Sequence, residues 1–188
     1  MLFRSSIRCT RYVLPYPFPP QLTPTNSPQL NTTYLDQYLI HNPFLAPHPA
    51  TLWPVLESLV DRGLVRSIGV SNYNSSQLAQ LVAIPGMRIS PAVNQIRYHA
   101  YNTLAQAPVV KLARKHGVLT AAYSALTPLT TETGGPVDDV LRGIVEGEEW
   151  TAAQVLLDWV KGQGLAVVTC VLPCPFRTRW RLILVLGL

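Results

Sequence analysis

Four short apolar runs in this chain end in polar side chains that suit the binding of a small polar molecule. The runs are residues 34–41, 64–72, 92–99 and 119–124. These runs supply amide, hydroxyl, imidazole and phenol groups, which donate and accept hydrogen bonds and lie mostly at the carboxyl ends of the runs: His41, Ser71, Asn72, Gln95, Tyr123 and Ser124. Near-continuous Val/Ile runs are typical of buried parallel strands. The pattern therefore predicts one site at the carboxyl face of a parallel barrel.

Segments with helical period follow these runs and would position their ends. We predict strands at 34–41, 67–71, 92–97, 119–124 and 165–169, with helices at 50–62, 104–116, 138–145 and 151–163 and one ending at Val82. Asn72 or Asn74 would cap the helix that ends at Val82. In the 104–116 helix we expect a buried stripe formed by Leu104, Val109, Leu112 and Ala113. Strands that alternate with helices indicate an α/β fold with a parallel sheet and right-handed crossovers.

Composition excludes several classes of function. Charged residues make up 13% and hydrophobic residues 48% of the 188 residues, which is too apolar for a disordered chain. The net charge of +5 comes from the two ends, because no acidic residue precedes Asp36 or follows Asp158. A nucleic-acid partner is therefore not expected. The three cysteines form no disulfide framework, and Cys170 and Cys174 lack a second ligand pair, so we expect reduced thiols and no metal site.

The two ends differ in composition from the middle. Residues 1–33 are rich in Pro, Ser, Thr and Asn and show no helical or strand period, which indicates an irregular head. The first dozen residues carry Arg and Ser without acids, as in mitochondrial transit peptides, although a cytoplasmic location is the expectation we favour. The apolar segment 180–188 is too short to span a bilayer, so no membrane partner is expected.

In its middle part the chain resembles the aldo-keto reductases. The matching segments are YLDQYLIH (34–41), GLVRSIGVSN (63–72), VNQIRYH (93–99), AAYSAL (121–126) and AQVLLDWVKGQGLAVVT (153–169). The resemblance implies a partial TIM (β/α)8 barrel that corresponds to strands four to eight of the family barrel. It also implies three parts: the head 1–33, an incomplete barrel 34–169 and a divergent tail 170–188 that departs from the family pattern.

The resemblance implies a role for each candidate site residue. His41 matches the histidine that orients the substrate oxygen, and Tyr123 matches the aromatic that stacks on the nicotinamide ring. The other matches are a carboxamide-binding set, Ser71, Asn72 and Gln95, and a pyrophosphate-contacting set, Ser124, Leu126 and Thr127. Three structural alternatives stay open. His41 would be structural at a strand end, Ser71 and Asn72 would only cap a helix, and Tyr123 would be a core tyrosine.

Two departures from the family pattern affect the expected activity. The family's catalytic tyrosine, aspartate and lysine come from earlier strands that have no counterpart in this sequence. The loop that normally binds the adenosine 2′-phosphate is replaced by Cys170-Val171-Leu172. We therefore expect NADP(H) binding to be weakened, and NADPH and NADH to bind with equal affinity.

These observations predict an NADP(H)-dependent oxidoreductase that reduces small aldehydes or ketones, with impaired activity in this truncated form. The alternatives are a non-catalytic remnant and a regulatory barrel that binds nicotinamide. Open sheet edges at strands 34–41 and 165–169 would allow copies of the chain to associate. Nothing in the sequence identifies the substrate.

Overall fold

The computed structural model describes residues 34–169 and, at the level of the backbone, residues 183–185. The head 1–33 and most of the tail 170–188, including all three cysteines, lie outside this part of the chain. The strands are β1 (Leu35–Ile40), β2 (Val65–Ser71), β3 (Val93–Arg97), β4 (Leu119–Tyr123), β5 (Ala166–Thr169) and β6 (Ile183–Val185). The α-helices are α1 (Pro49–Asp61), α2 (Ser75–Val82), α3 (Thr103–Lys115), α4 (Thr127–Thr130), α5 (Pro136–Val145) and α6 (Ala152–Gly162). Single 3₁₀ turns lie at Pro43–Leu45 and Ala100–Asn102.

The first five strands form one parallel sheet in chain order, curled into part of a barrel with the helices outside. This confirms the predicted α/β partial TIM barrel. The five predicted strands and the predicted helices are all present, with ends within two residues of the expected ones. Asn74, rather than Asn72, caps α2, where its side chain and that of Gln77 each accept the other's backbone N–H.

The main core lies between the sheet and its helices and includes Trp53 and Leu56 of α1 with Ile68 of β2. A smaller apolar cluster, which includes Leu39, Val93 and Val168, lies on the other face of the sheet. The side chains of alternate residues in each strand therefore pack on opposite faces of the sheet.

Gly69 allows a close approach of β2 to β3. A β-carbon at this position would come within 2.5 Å of the Val93 carbonyl oxygen and 2.9 Å of a Leu39 methyl. Any larger side chain would force the strands apart, because backbone atoms cannot yield as a flexible side chain can.

Two expectations were wrong. Leu104 is 90% exposed and does not join the buried stripe of α3. It precedes the buried Val109 by five positions, which rotates it by roughly 140° around a helix of 3.6 residues per turn.

The second wrong expectation concerns strand β5, whose outer edge pairs with β6 in antiparallel register, from Val167 opposite Val185 to Thr169 opposite Ile183. The sheet edge at β5 is therefore not open as predicted, whereas self-association stays a prediction.

Within the described residues, no helix has the length and apolar character needed to cross a membrane.

Candidate functional site

Asn72 is the centre of the polar network at the carboxyl edge of the sheet. Its side-chain nitrogen donates to the His41 carbonyl oxygen at 2.9 Å and lies 3.2 Å from Ser71 Oγ. Its side-chain oxygen accepts a hydrogen bond from the Tyr123 hydroxyl at 2.9 Å. One amide thus joins the ends of β1, β2 and β4. The backbone N–H of Asn72 donates to the Gln95 carbonyl oxygen, in the intervening strand β3, at 2.9 Å.

Backbone geometry explains why asparagine suits this position. Asn72 has a φ of 63°, in the left-handed region that most residues with a side chain avoid. Asparagine tolerates that region better than most residues do. The left-handed turn directs the Asn72 side-chain amide back over the strand ends. A continued β-strand would direct it differently. Unusual backbone of this kind is concentrated at functional sites.

Ser71 and Gln95 lie side by side in β2 and β3, where their Cα atoms are in register. Ser71 Oγ donates to the Gln95 carbonyl oxygen at 2.8 Å, and both residues are buried. Gln95 as a residue is only 3% exposed, but its side-chain amide is not among the buried groups that lack a hydrogen-bond partner in the described part of the chain. A side-chain amide both donates and accepts hydrogen bonds, which suits a ligand that does the same.

Tyr123 ends β4 with its ring packed against the apolar cluster on the inner face of the sheet. Ser124 follows with a φ of 59°, so that it lies in the left-handed region as Asn72 does. The chain then turns: Thr127 Oγ1 and the Thr127 N–H both donate to the Ser124 carbonyl, at 2.8 and 3.1 Å. Ser124 is exposed, whereas Thr127 is buried beneath it.

Leu126 acts in this turn through its backbone. Its carbonyl oxygen accepts from the Leu129 N–H at 2.9 Å and from Thr130 Oγ1 at 3.1 Å. The Leu126 side chain is half-buried. The segment from Ser124 to Thr130 is therefore an ordered turn and short helix, although the sequence pattern predicted no helix between strand 119–124 and helix 138–145.

The structure brings most of the predicted site residues together. Hydrogen bonds link five of them in one network at the carboxyl edge: His41 through its carbonyl, Ser71, Asn72, Gln95 through its carbonyl, and Tyr123. Ser124 directly follows that network, and Leu126 and Thr127 lie in the adjoining turn. The alternative in which Ser71 and Asn72 merely cap α2 is wrong, because Asn74 does so. Their functional roles, and those of His41 and Tyr123, stay predictions.

Sequence reasoning missed a second group of polar residues beside this edge. Arg97 is the last residue of β3, His99 and Tyr101 follow it at every second position, and all three approach the segment 132–137. His99 is 2% exposed, and burial lowers the pKa of its imidazole, which favours the neutral form. Neither ring nitrogen has a hydrogen-bond partner within the described residues. The placement of these polar residues at every second position was the signal available in the sequence. It could not identify their partners, because those lie in the distant segment 132–137.

No group of three or more His, Cys, Asp or Glu in the described part of the chain is arranged to hold a metal ion.

The comparison with protein families identifies the ancestry of this site. The model of the aldo/keto reductase family matches residues 26–177, which is most of the chain. The chain belongs to the aldo/keto reductase family. All eight predicted site residues fall inside the matched segment.

Individual relatives of this aldo/keto reductase chain agree with the family match. An NAD/NADP-dependent indole-3-acetaldehyde reductase of Schizosaccharomyces pombe is 32% identical over 75% of this chain and 50% of its own length. A probable NAD(P)H-dependent D-xylose reductase of Emericella nidulans is 39% identical over 62% of this chain and 38% of its own. An aldo/keto reductase crystal structure from Brucella melitensis aligns at a TM-score of 0.64, with 31% identity over 76% of this chain and 52% of that one. The chain thus spans about half the length, or less, of these relatives.

Proposed function

We propose that this chain binds a nicotinamide dinucleotide, NADP(H) or NAD(H), at the carboxyl edge of its sheet and serves in the reduction of small aldehydes or ketones. The observation that carries the proposal is the Tyr123–Asn72–Ser71 hydrogen-bond network, which lies beside the buried residue Gln95. Two similar proteins are named as NAD(P)-dependent reductases, which supports the choice of cofactor.

The residues at this edge fit a nicotinamide carboxamide. A carboxamide presents one acceptor oxygen and two donor hydrogens, and the Gln95 amide offers the complementary set. The side chains of Asn72 and Ser71 are hydrogen-bonded to each other and to backbone carbonyls. We therefore propose that they fix the geometry around Gln95, and that some of their hydrogen bonds are replaced by hydrogen bonds to the cofactor when it binds. The ring of Tyr123 would provide a flat stacking face at the same edge.

The adjoining turn would hold the pyrophosphate. Ser124 is exposed there, with its hydroxyl available at the edge of the site. The Thr127 hydroxyl is bonded to the Ser124 carbonyl, so we propose that Thr127 contributes by shaping the turn. Leu126 would contribute through its backbone, as the resemblance implies.

When bound in its reduced form, the nicotinamide would supply a hydride to the carbonyl carbon of the substrate, and the carbonyl oxygen would take up a proton from water. His41 would orient the carbonyl oxygen, because a neutral imidazole can donate one hydrogen bond to it. The His41 carbonyl is held by Asn72 at 2.9 Å, which fixes the backbone from which the imidazole projects. Precise orientation of this kind contributes to the rate even where proton transfer is slow.

The proposal is tested by titrating the chain with NADPH and following quenching of protein fluorescence. Gln95→Ala should weaken binding by about tenfold, as expected for a lost hydrogen bond in a buried site. Gln80→Ala is the matched control, because Gln80 is exposed on α2. Absence of NADPH and NADH binding by the unaltered chain would refute the proposal.

A second measurement separates catalysis from binding. The chain is mixed with NADPH and a model aldehyde, and oxidation of NADPH is followed at a single turnover. Turnover that falls in His41→Ala supports the reductase. Binding without any turnover would instead support the alternative of a nicotinamide-binding barrel without catalysis.

A further inference from the structure

We infer that the end of β3 and the segment that follows it, through Arg97 and Tyr101, position the turn at Ser124–Thr127 and thereby set the affinity for a dinucleotide. The inference rests on the proposed function, since it concerns the turn assigned there to the pyrophosphate. Tyr101 and Arg97 are positioning residues here and need not touch the cofactor.

We call Arg97 and Tyr101, together with their contacts at Glu132, Gly135 and Val137, the brace; its first contact is between Tyr101 and Gly135. A β-carbon on Gly135 would collide with the Tyr101 hydroxyl and lie 3.0 Å from its ring carbon Cζ. The Tyr101 hydroxyl also accepts a hydrogen bond of 3.4 Å from the Val137 N–H. Gly135 has a φ of −98°, so an alanine there would be opposed by contact with the Tyr101 ring, which would have to shift, rather than by backbone strain.

The second contact runs through Glu132. Arg97 Nη2 lies 2.8 Å from Glu132 Oε1, and the buried His99 ring lies 4.0 Å from the other carboxylate oxygen. Because Arg97 and Glu132 are both substantially exposed, the ion pair alone contributes little. It acts together with the packing of Tyr101.

Backbone hydrogen bonds connect this brace to the proposed site. The Glu132 N–H donates to the Thr127 carbonyl at 3.0 Å, as the Thr131 N–H does at 3.1 Å. Thr127 in turn donates from its hydroxyl to the Ser124 carbonyl at 2.8 Å. A displacement of residues 132–135 would therefore be transmitted to Ser124 through two successive hydrogen bonds. Contiguous contacts of this kind can couple distant residues, but the coupling must be measured.

The test is a double-mutant cycle between Gly135→Ala and Tyr101→Ala, with affinity for NADPH as the readout. Gly135→Ala should weaken NADPH binding at least about fivefold in the unaltered background. In the Tyr101→Ala background the same change should cost less than about twofold, because the ring that it collides with is gone. Gly143→Ala is the matched control, since a β-carbon at Gly143 meets nothing within 4 Å.

Reduced nicotinamide mononucleotide serves as a second probe, because it lacks the pyrophosphate. Its affinity should be unchanged in Gly135→Ala, which a general loss of structure would not allow. Should Gly135→Ala fail to fold, Tyr101→Ala by itself should show the same selective loss of NADPH binding.

The outcomes separate the two proposals. Equal NADPH affinity of Gly135→Ala and the unaltered chain overturns the inference and leaves the proposed function standing. Equal losses in both backgrounds overturn the route through Tyr101. Failure of the unaltered chain to bind either probe overturns the proposed function, and the inference with it.

Discussion

The Tyr123 hydroxyl donates a hydrogen bond of 2.9 Å to the side-chain oxygen of Asn72. The bond joins the end of β4 to the residue after β2 and passes over the intervening strand β3. Both residues therefore belong to one rigid group, in which a ring face and an amide are held at a fixed separation. Preorganisation of this kind reduces the ordering cost of ligand binding.

Two substitutions of Tyr123 should separate its ring from its hydroxyl. Tyr123→Ala removes the proposed stacking face and should weaken dinucleotide binding by about 1 kcal/mol or more. Tyr123→Phe retains the face and loses the hydroxyl that donates to Asn72, so it should weaken binding less. Titration calorimetry with NADPH measures both. A larger loss in the phenylalanine variant would contradict a stacking role.

The chain should bind NADPH and NADH with equal affinity. Discrimination requires cations or hydroxyls that recognise the 2′-phosphate, and Cys170-Val171-Leu172 offers none at the position where the family resemblance places that loop. Competition of the two dinucleotides in a fluorescence titration tests this expectation. A preference for NADPH of tenfold or more would show that other cationic residues of this chain recognise the phosphate.

Exchanging the charges of Arg97 and Glu132 should test the ion pair between β3 and the 132–137 segment. Arg97→Glu places two carboxylates together and should weaken NADPH binding about twofold to fivefold, in line with the modest energy of an exposed pair. The double variant Arg97→Glu/Glu132→Arg restores opposite charges and should recover most of the affinity. Raising the salt concentration should reduce both effects. No recovery in the double variant would count against the pair.

Strand polarity explains why much of the candidate site was predictable from the sequence. Parallel strands share a carboxyl edge, so polar residues at strand ends meet wherever the strands are correctly located. His41, Asn72 and Tyr123 could therefore be grouped before their distances were known. The hydrogen bonds within that group could not be predicted, because the only sequence signal for the left-handed turn at Asn72 is the asparagine itself.

Contacts between segments that are distant in sequence were beyond sequence reasoning. Arg97 and Glu132 are separated by 35 residues, and the alternating pattern that contains Arg97 does not indicate its partner. The exposure of Leu104 was not predicted, because an apolar residue at the start of a helix is expected to be buried unless its angular position around the helix axis is known. The pairing of β5 with β6 also depends on how a distant apolar segment folds back.

Glu57 should be essential for stability, because its carboxylate fixes the approach to β3. Although Glu57 is only 3% exposed, its Oε1 accepts from the backbone N–H groups of Arg88 and Ile89 at 2.7 and 2.9 Å. Glu57→Ala would leave two partly buried donors without partners and should lower the free energy of unfolding by about 2–4 kcal/mol. Denaturant unfolding measures the loss. Glu149→Ala is the matched control, since Glu149 is exposed, and it should have almost no effect.

Acidification should destabilise the folded chain through His99. Burial lowers the pKa of the His99 imidazole, with Glu132 acting in the opposite direction and Arg97 reinforcing the decrease. As the pH falls through about 6.5, the ordinary histidine value, the unfolded chain takes up a proton that the folded chain resists. The contribution of neutral His99 to stability is thus complete above that pH and is lost below it. The free energy of unfolding, measured by urea titration from pH 7.5 to 5, should therefore decrease less steeply in His99→Gln. His116→Gln, at an exposed position after α3, should retain the slope of the unaltered chain. A slope that His99→Gln leaves unchanged would show that other groups govern the acid sensitivity.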